Sequence, residues 1–130
     1  MKLWRELILF GVIGTVGLVV DIAVLYSLIP LLGLFVSRGI SFLAAVVTTW
    51  FLNKSITFKG KKSSLPNHKE LIAYIGLMLV GGAANYATYT WLILAYEYMR
   101  SSPFLAVAAG SLVGMCLNYS TSKFLLFSKV

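Results

Sequence analysis

The sequence has few charged residues, and acidic residues are the scarcest among them. Only 12% of the 130 residues are charged, with four Asp or Glu against eleven Lys or Arg, and there is one histidine and one cysteine. An ordinary soluble domain has roughly 25% charged residues. So few carboxylates leave no Ser/His/Asp, Cys/His or paired-carboxylate arrangement and no set of metal ligands. We therefore expect neither an enzyme nor a cofactor, and a single cysteine forms no internal disulfide.

The chain is rich in apolar residues, since 59% of it is hydrophobic. About 20 apolar residues in a helix cross the roughly 30 Å of bilayer hydrocarbon. The pattern predicts an all-α membrane protein, a single domain over residues 1–130 with four transmembrane helices. The predicted spans cover approximately residues 7–29, 35–57, 71–96 and 103–127. Pro30–Gly33 predicts a tight turn, and Ser102 with Pro103 predicts a helix N-terminus.

Residues 59–69 form the one polar segment of any length, and their Gly, Ser, Pro and Asn content predicts a loop that includes His68. Basic residues are distributed unevenly about the predicted spans. The residues predicted on one side of the membrane are Lys2, Arg5, Lys54, Lys59, Lys61, Lys62, Lys69, Lys123 and Lys129. Those predicted on the other side are Arg38 and Arg100. The positive-inside rule then places both termini and the loop in the cytoplasm, in a multi-pass protein of the cytoplasmic membrane. Because the basic residues flank apolar runs, anionic lipids are expected partners and nucleic acid is not.

The two halves of the chain resemble one another. Arg5–Leu7 is echoed by Lys69–Leu71, and Asp21 is echoed by Asn85 at the same distance further on. Two spans separate the copies, so both halves have the same orientation in the membrane. This predicts two helical hairpins that form a parallel repeat about an axis along the membrane normal.

Small residues recur every four positions in the second and fourth spans. The two stripes are Ser37, Ser41, Ala45 and Thr49, and Ala106, Gly110, Gly114 and Asn118. Small residues on one helical face let helix backbones approach closely in a membrane. Close helix packing is the favoured interpretation of both stripes.

The ends of the second and fourth spans, residues 48–58 and 117–127, share a pattern. Each has a polar residue, an aromatic residue, a lysine and a phenylalanine: Thr49, Trp50, Lys54 and Phe58, then Asn118, Tyr119, Lys123 and Phe127. A lysine near a helix end can extend its ammonium to the lipid headgroups. The lysines are therefore either anchors of the helix ends or a working site for an anionic group, and both interpretations stay open.

Asp21 is the sharpest feature within a predicted span, because a carboxylate is costly in hydrocarbon. One interpretation is a proton-coupling group or a polar waypoint for a translocated head group, with Asn85 as its counterpart. The other is a structural aspartate near the outer interface, stabilised there by Arg38 or water.

The sequence W-F-L-N-K-S-I-T-F at 50–58 and its echo N-Y-S-T-S-K-F-L-L-F at 118–127 resemble the GtrA-like family of small membrane proteins, as do the four spans and two similar halves. Motif positions matching the family are Asn53, Lys54 and Phe58, then Asn118, Lys123 and Phe127. Ser122 replaces the motif asparagine in the second copy. We therefore expect a milder effect from replacing Lys123 than from replacing Lys54.

The resemblance implies translocation of a polyprenyl-phosphate-linked sugar for glycosylation of surface polysaccharide or glycolipid, or assistance to a membrane glycosyltransferase as partner. A small multidrug-type exporter that uses Asp21 is a third hypothesis. We expect a homo-oligomer, because four short helices are few for a sealed path. The candidate residues for lipid-phosphate and sugar binding are Lys54, Lys123, Asn53, Asn118, Thr49, Asp21 and Asn85.

Overall fold

The computed structural model describes residues 2–129, with side chains for all of them except Leu34, Phe35 and Phe104, and nearly all of this range is helical. The elements are α1 (Lys2–Gly33), α2 (Val36–Thr57), α3 (Asn67–Ala95), the short α4 (Glu97–Ser101) and α5 (Pro103–Thr121), which a π-helical turn (Ser122–Leu126) extends. Extended pairing among the described residues is confined to one antiparallel bridge, between Lys62 and Lys129. The all-α class is confirmed.

Helices α1, α2 and α3 are each long and apolar enough to cross a membrane. Their most apolar windows are only 17%, 17% and 11% buried. Large apolar side chains such as Trp4, Ile8 and Leu18 lie exposed, whereas Glu6 and Asn53 are buried. Such an inside-out distribution is unfavourable in water and favourable in lipid. The chain is a multi-pass membrane protein.

The reversal between α1 and α2 lies at Gly33. Pro30, predicted to be in a tight turn, is instead inside the helix, and the helical geometry breaks at Gly33, where φ is 79° and ψ is 178°. Glycine adopts positive φ without the steric cost of a Cβ atom. α1 and α2 run antiparallel, because Gly17 contacts Thr49 and Asp21 contacts Arg38. The first predicted span, residues 7–29, is therefore shorter than the helix it represents.

The basic loop is shorter than the predicted 59–69. α3 begins at Asn67, so His68 and Lys69 belong to its first turn. Pro66 before it is extended, with φ −64° and ψ 159°, and its carbonyl accepts a hydrogen bond from the Glu70 amide at 2.9 Å. Glu70 in the first turn complements the positive end of the helix dipole. At the other end, α5 begins at Pro103 after Ser102, as the sequence predicts, without a hydrogen bond from the Ser102 side chain.

The small-residue stripe of α5 packs on α3, which confirms the packing interpretation for this helix. Gly110 faces Asn85, and an added Cβ at Gly114 would lie 3.0 Å from the Gly81 carbonyl oxygen and 3.1 Å from the Asn85 Cβ. Gly81 in turn lies against the Asn118 amide, as Gly17 lies against Thr49 in the first hairpin. The same kind of close contact therefore joins the two helices of each half.

An aromatic cluster closes the end of the bundle that carries the basic loop. Phe58 and Phe127 are fully buried and stack with ring centroids 5.1 Å apart at 18°. Phe10 and Tyr119 pack edge to face beside them at 5.7 Å. The two repeated motifs thus meet through their terminal phenylalanines, in geometries that aromatic pairs prefer.

Candidate functional site

Both repeated motifs end in a π-helical turn, which the sequence patterns do not predict. The Phe58 amide donates to the Asn53 carbonyl and the Phe127 amide donates to the Ser122 carbonyl, each at 2.8 Å. A π-turn accommodates one extra residue and occurs frequently at functional sites. Here both turns bring a buried phenylalanine into the aromatic cluster while the preceding lysine stays at the bundle surface.

The lysine of the second motif binds a glutamate from the start of the chain. Glu6 is 3% exposed, and its two carboxylate oxygens lie 2.6 Å from Lys123 Nζ and 2.9 Å from Lys61 Nζ. The Tyr119 hydroxyl donates to the same carboxylate at 3.0 Å. We call these four residues the Glu6 cluster. Its carboxylate is buried with charged and hydrogen-bonding partners, as a buried charge requires.

The lysine of the first motif makes the corresponding contact with Glu70. Glu70 is 2% exposed and accepts from Lys54 Nζ at 3.2 Å and from the Trp50 indole N–H at 3.0 Å. Lys54 also donates to the Asn67 side-chain oxygen at 2.7 Å. We call these residues the Glu70 cluster.

Each cluster therefore joins a glutamate from one half to a motif from the other half. The sequence predicts that Lys54 and Lys123 lie at the same membrane–water interface, but it assigns no role to Glu6 or Glu70. Glu6 and Glu70 occupy equivalent positions in the repeated R-E-L and K-E-L triplets, and this repetition could have identified them from the sequence. Both lysines are ion-paired, so any anion would have to bind beside or in exchange with a carboxylate.

Asn53 is buried inside the bundle and held by a side-chain network. Its amide nitrogen donates to the Tyr74 hydroxyl at 3.0 Å, and its oxygen accepts from Thr57 at 2.8 Å. The Tyr74 hydroxyl lies 3.3 Å from the Thr49 hydroxyl, to which it donates. This network connects the first motif with α3 at the base of a cavity.

The cavity has a volume of about 470 Å³ and lies between α1, α2, α3 and α5. Five of the seven sequence-predicted site residues line it: Asp21, Thr49, Asn53, Asn85 and Asn118. Lys54 and Lys123 are not among the lining residues. The structure therefore separates the predicted site into a mostly apolar cavity that contains polar side chains and two charged clusters at the end of the bundle.

Asp21 and Arg38 face each other at the opposite end of this cavity. The Arg38 guanidinium donates to Asp21 at 2.6 Å and to the Ser41 hydroxyl at 3.2 Å. This is the ion pair that the structural interpretation of Asp21 requires. Asn53 and Arg38 are roughly 20 Å apart along α2 at 1.5 Å per residue, and the α2 residues that line the cavity between them are Phe42, Ala45, Val46 and Thr49.

Three buried oxygens lack a hydrogen-bond partner among the described residues: the Ser37 and Ser122 hydroxyls and Asn118 Oδ1. Unpartnered buried polar atoms are uncommon. Asn118 lines the cavity, and its unpartnered Oδ1 is buried against Gly81. Within residues 2–129, no three His, Cys, Asp or Glu side chains lie close enough together to hold a metal ion.

Comparison with known families gives a match that covers most of the chain. The family described as GtrA/DPMS, transmembrane domain, matches residues 9–127. This range includes both motifs, and it confirms the resemblance found in the sequence. No curated protein and no solved structure gives a significant match.

Proposed function

This chain belongs to the GtrA/DPMS transmembrane domain family, and we propose that it moves a polyprenyl-phosphate-linked sugar across the cytoplasmic membrane. The transported sugar would serve glycosylation of surface polysaccharide or glycolipid. Family membership supports the broader role, a membrane function in handling sugars carried on phosphorylated lipids. The further step to transport is supported by the cavity.

The carrying observation is a cavity between the helices in which polar groups from both halves interrupt mostly apolar walls. Its volume of about 470 Å³ lies within the range of small-ligand sites, and it is lined by hydroxyl, amide and carboxylate groups from both halves. Sugar hydroxyls are costly to place in hydrocarbon without hydrogen bonds. A cavity with such groups in its walls lowers that cost during transfer, while a lipid chain stays outside in the bilayer.

The charged clusters lie at one end of the bundle, where the starts of α1 and α3 meet the ends of α2 and α5. A lipid phosphate remains at headgroup depth, and ammonium groups at that depth attract it. We place this end at the cytoplasmic face, in agreement with the uneven distribution of Lys and Arg.

We further propose that α5 is a fourth crossing and that the two hairpins form a parallel repeat. α5 has 19 residues, about 28 Å of helix, and it packs against α3, a candidate span. The equivalent contacts Gly17–Thr49 and Gly81–Asn118 support the repeat. A homo-oligomer and a non-enzymatic role are part of this proposal.

The test is transport by the purified protein in liposomes. A fluorescent polyprenyl-phosphate glucose is placed in the bilayer, and its exposure to an impermeant quencher is followed over time. We expect the protein to accelerate transbilayer exchange. Asn118→Leu should slow the exchange at least tenfold, because leucine keeps the volume of the side chain but removes the amide from the cavity.

Val107→Leu, at an exposed position on the same helix, is the matched control and should exchange at the wild-type rate. Exchange equal to that of protein-free liposomes, with folded protein, would contradict transport. The chain would then be an accessory subunit of a membrane glycosyltransferase, detected by its co-purification with such an enzyme.

A further inference from the structure

The Glu6 and Glu70 clusters occupy equivalent places but differ in charge. Among the described residues, Glu6 contacts two ammonium groups, those of Lys61 and Lys123. Glu70 contacts one, that of Lys54. The Glu6 cluster therefore has an excess of one positive charge, whereas the Glu70 cluster is balanced. An added anion is electrostatically favoured at the first cluster.

A lipid-facing groove adjoins the Glu6 cluster. The groove has a volume of about 180 Å³ and lies between α1 and α5, lined by Leu3, Trp4, Leu7, Cys116, Tyr119 and Ser120. Four of these six side chains are apolar. Tyr119 belongs to both places, because its ring borders the groove and its hydroxyl binds Glu6 and lies 3.2 Å from Lys123.

The other half has a different surface at the equivalent position. The repeated triplets align Leu3 and Trp4 with the polar Asn67 and His68, whereas the motifs align Cys116 and Ser120 with the apolar Val47 and Phe51. Asn67 is moreover bound to Lys54. The number of apolar residues therefore does not distinguish the two places, and the excess charge of the Glu6 cluster does.

We infer that the groove and the Glu6 cluster together bind the polyprenyl phosphate portion of the transported lipid, with the phosphate on Lys61 and Lys123 and the chain along Leu3, Trp4 and Cys116. This inference rests on the proposed function and specifies where its substrate enters. The lysine side chains are 16% and 17% exposed, so part of each lies at the surface, where an anion can bind beside the Glu6 carboxylate. The two halves then have different tasks despite their similar sequences.

Binding of undecaprenyl phosphate to the protein in phosphatidylcholine nanodiscs tests the charge. Lys61→Gln and Lys123→Gln should each weaken binding about tenfold, the size of one charge-assisted hydrogen bond. Each variant leaves Glu6 one lysine and the Tyr119 hydroxyl, so the fold is retained. Lys62→Gln, at the next and more exposed position of the same loop, is the control and should bind as the wild type.

The sequence predicts the larger loss for Lys54→Gln, and the charge balance predicts it for Lys123→Gln. Equal affinity of wild type, Lys61→Gln and Lys123→Gln would overturn the inference. So would equal affinity for dioleoyl phosphatidate, because the site would then accept any anionic lipid. Undecaprenol, which lacks the phosphate, should bind much more weakly.

A second measurement tests the groove. Cys116→Trp fills it, and Val47→Trp adds the same bulk at the matching position of α2, three residues before the motif aromatic, where the surface is also exposed. Only Cys116→Trp should lower the affinity for undecaprenyl phosphate. Photo-crosslinking of the wild type with a diazirine in the isoprenoid chain should label residues 3–7 and 116–120, and it decides the question if Cys116→Trp does not fold.

Labelling of residues 47–51 to the same extent would overturn the groove. The outcomes also separate this inference from the proposed function. If the wild type transports the lipid and the Lys61→Gln and Cys116→Trp proteins transport it equally fast, the groove is ruled out but the proposed function is not. Binding at the groove without transport would contradict the function alone.

Discussion

At the residue scale, the two buried glutamates depend on their lysine partners for stability. Removing the partner of a buried ion pair costs about 3–5 kcal/mol, because an uncompensated charge remains in the interior. Glu6 has two lysine partners and loses only part of its compensation when either is replaced. Glu70 depends on Lys54 together with the Trp50 indole. Replacing a lysine is therefore less damaging to stability in the Glu6 cluster.

Asp21 provides a test between transport mechanisms. An asparagine at this position keeps the size and hydrogen-bonding capacity of the side chain but cannot titrate. A proton-driven exporter should lose all activity in Asp21→Asn. The proposed function predicts a partial loss, of less than about tenfold, because Asn85 already has this amide in the other half.

Exchange rates in proteoliposomes, at matched protein content, measure the loss. Ser27→Ala, a change of an exposed α1 residue outside the cavity whose hydroxyl bonds only to its own helix at Ala23, is the control for effects on the helix itself. Complete inactivity of a folded Asp21→Asn protein would favour proton coupling.

At the element scale, close contact between α3 and α5 depends on glycine. Gly114→Leu should weaken this packing, because a side chain there would overlap the Gly81 carbonyl and Asn85. Overpacking of this kind typically costs about 1–3 kcal/mol. We expect a clear fall in the thermal unfolding temperature of the detergent-solubilised protein.

Gly76→Leu adds the same side chain on α3 at a site where no heavy atom lies within 4 Å of an added Cβ. Gly76→Leu is therefore the control for the effects of replacing a flexible glycine and of adding bulk within the detergent micelle. Equal unfolding temperatures for the Gly114→Leu and Gly76→Leu proteins would show that the α3–α5 contact contributes little to stability.

At the scale of the whole molecule, orientation in the membrane can be tested by thiol labelling in intact cells. The native thiol is first removed with Cys116→Ala. Cysteines at Ser64 and Ser128, at the basic end of the bundle, should be protected from an impermeant maleimide, and one at Ser101 should react. All three serines are exposed, so reactivity reports the side of the membrane.

Permeabilised cells serve as the control, because all three cysteines should then react. Labelling at Ser64 in intact cells, with protection at Ser101, would reverse the orientation. The clusters would then bind a lipid phosphate from the outer face, and the direction of the proposed transport would change with them.

The sequence by itself determined the membrane class, the helical architecture, the family and five of the residues that line the cavity. Those properties depend on local composition and on the length of apolar runs, since a run of about 20 apolar residues has few alternatives to a membrane helix. The repeat of R-E-L in K-E-L and the two lysine motifs were also visible without a structure.

Only the tertiary structure decided which groups meet. Glu6 binds Lys123 from the opposite end of the chain, and Glu70 binds Lys54 across the loop, although sequence patterns treat each motif as a unit within its own half. The Asn53 network, the π-turns and the separation of the lysines from the cavity likewise follow from packing between distant segments. Apolar periodicity fixes which residues form a helix, but a partner for a buried charge is selected by three-dimensional proximity.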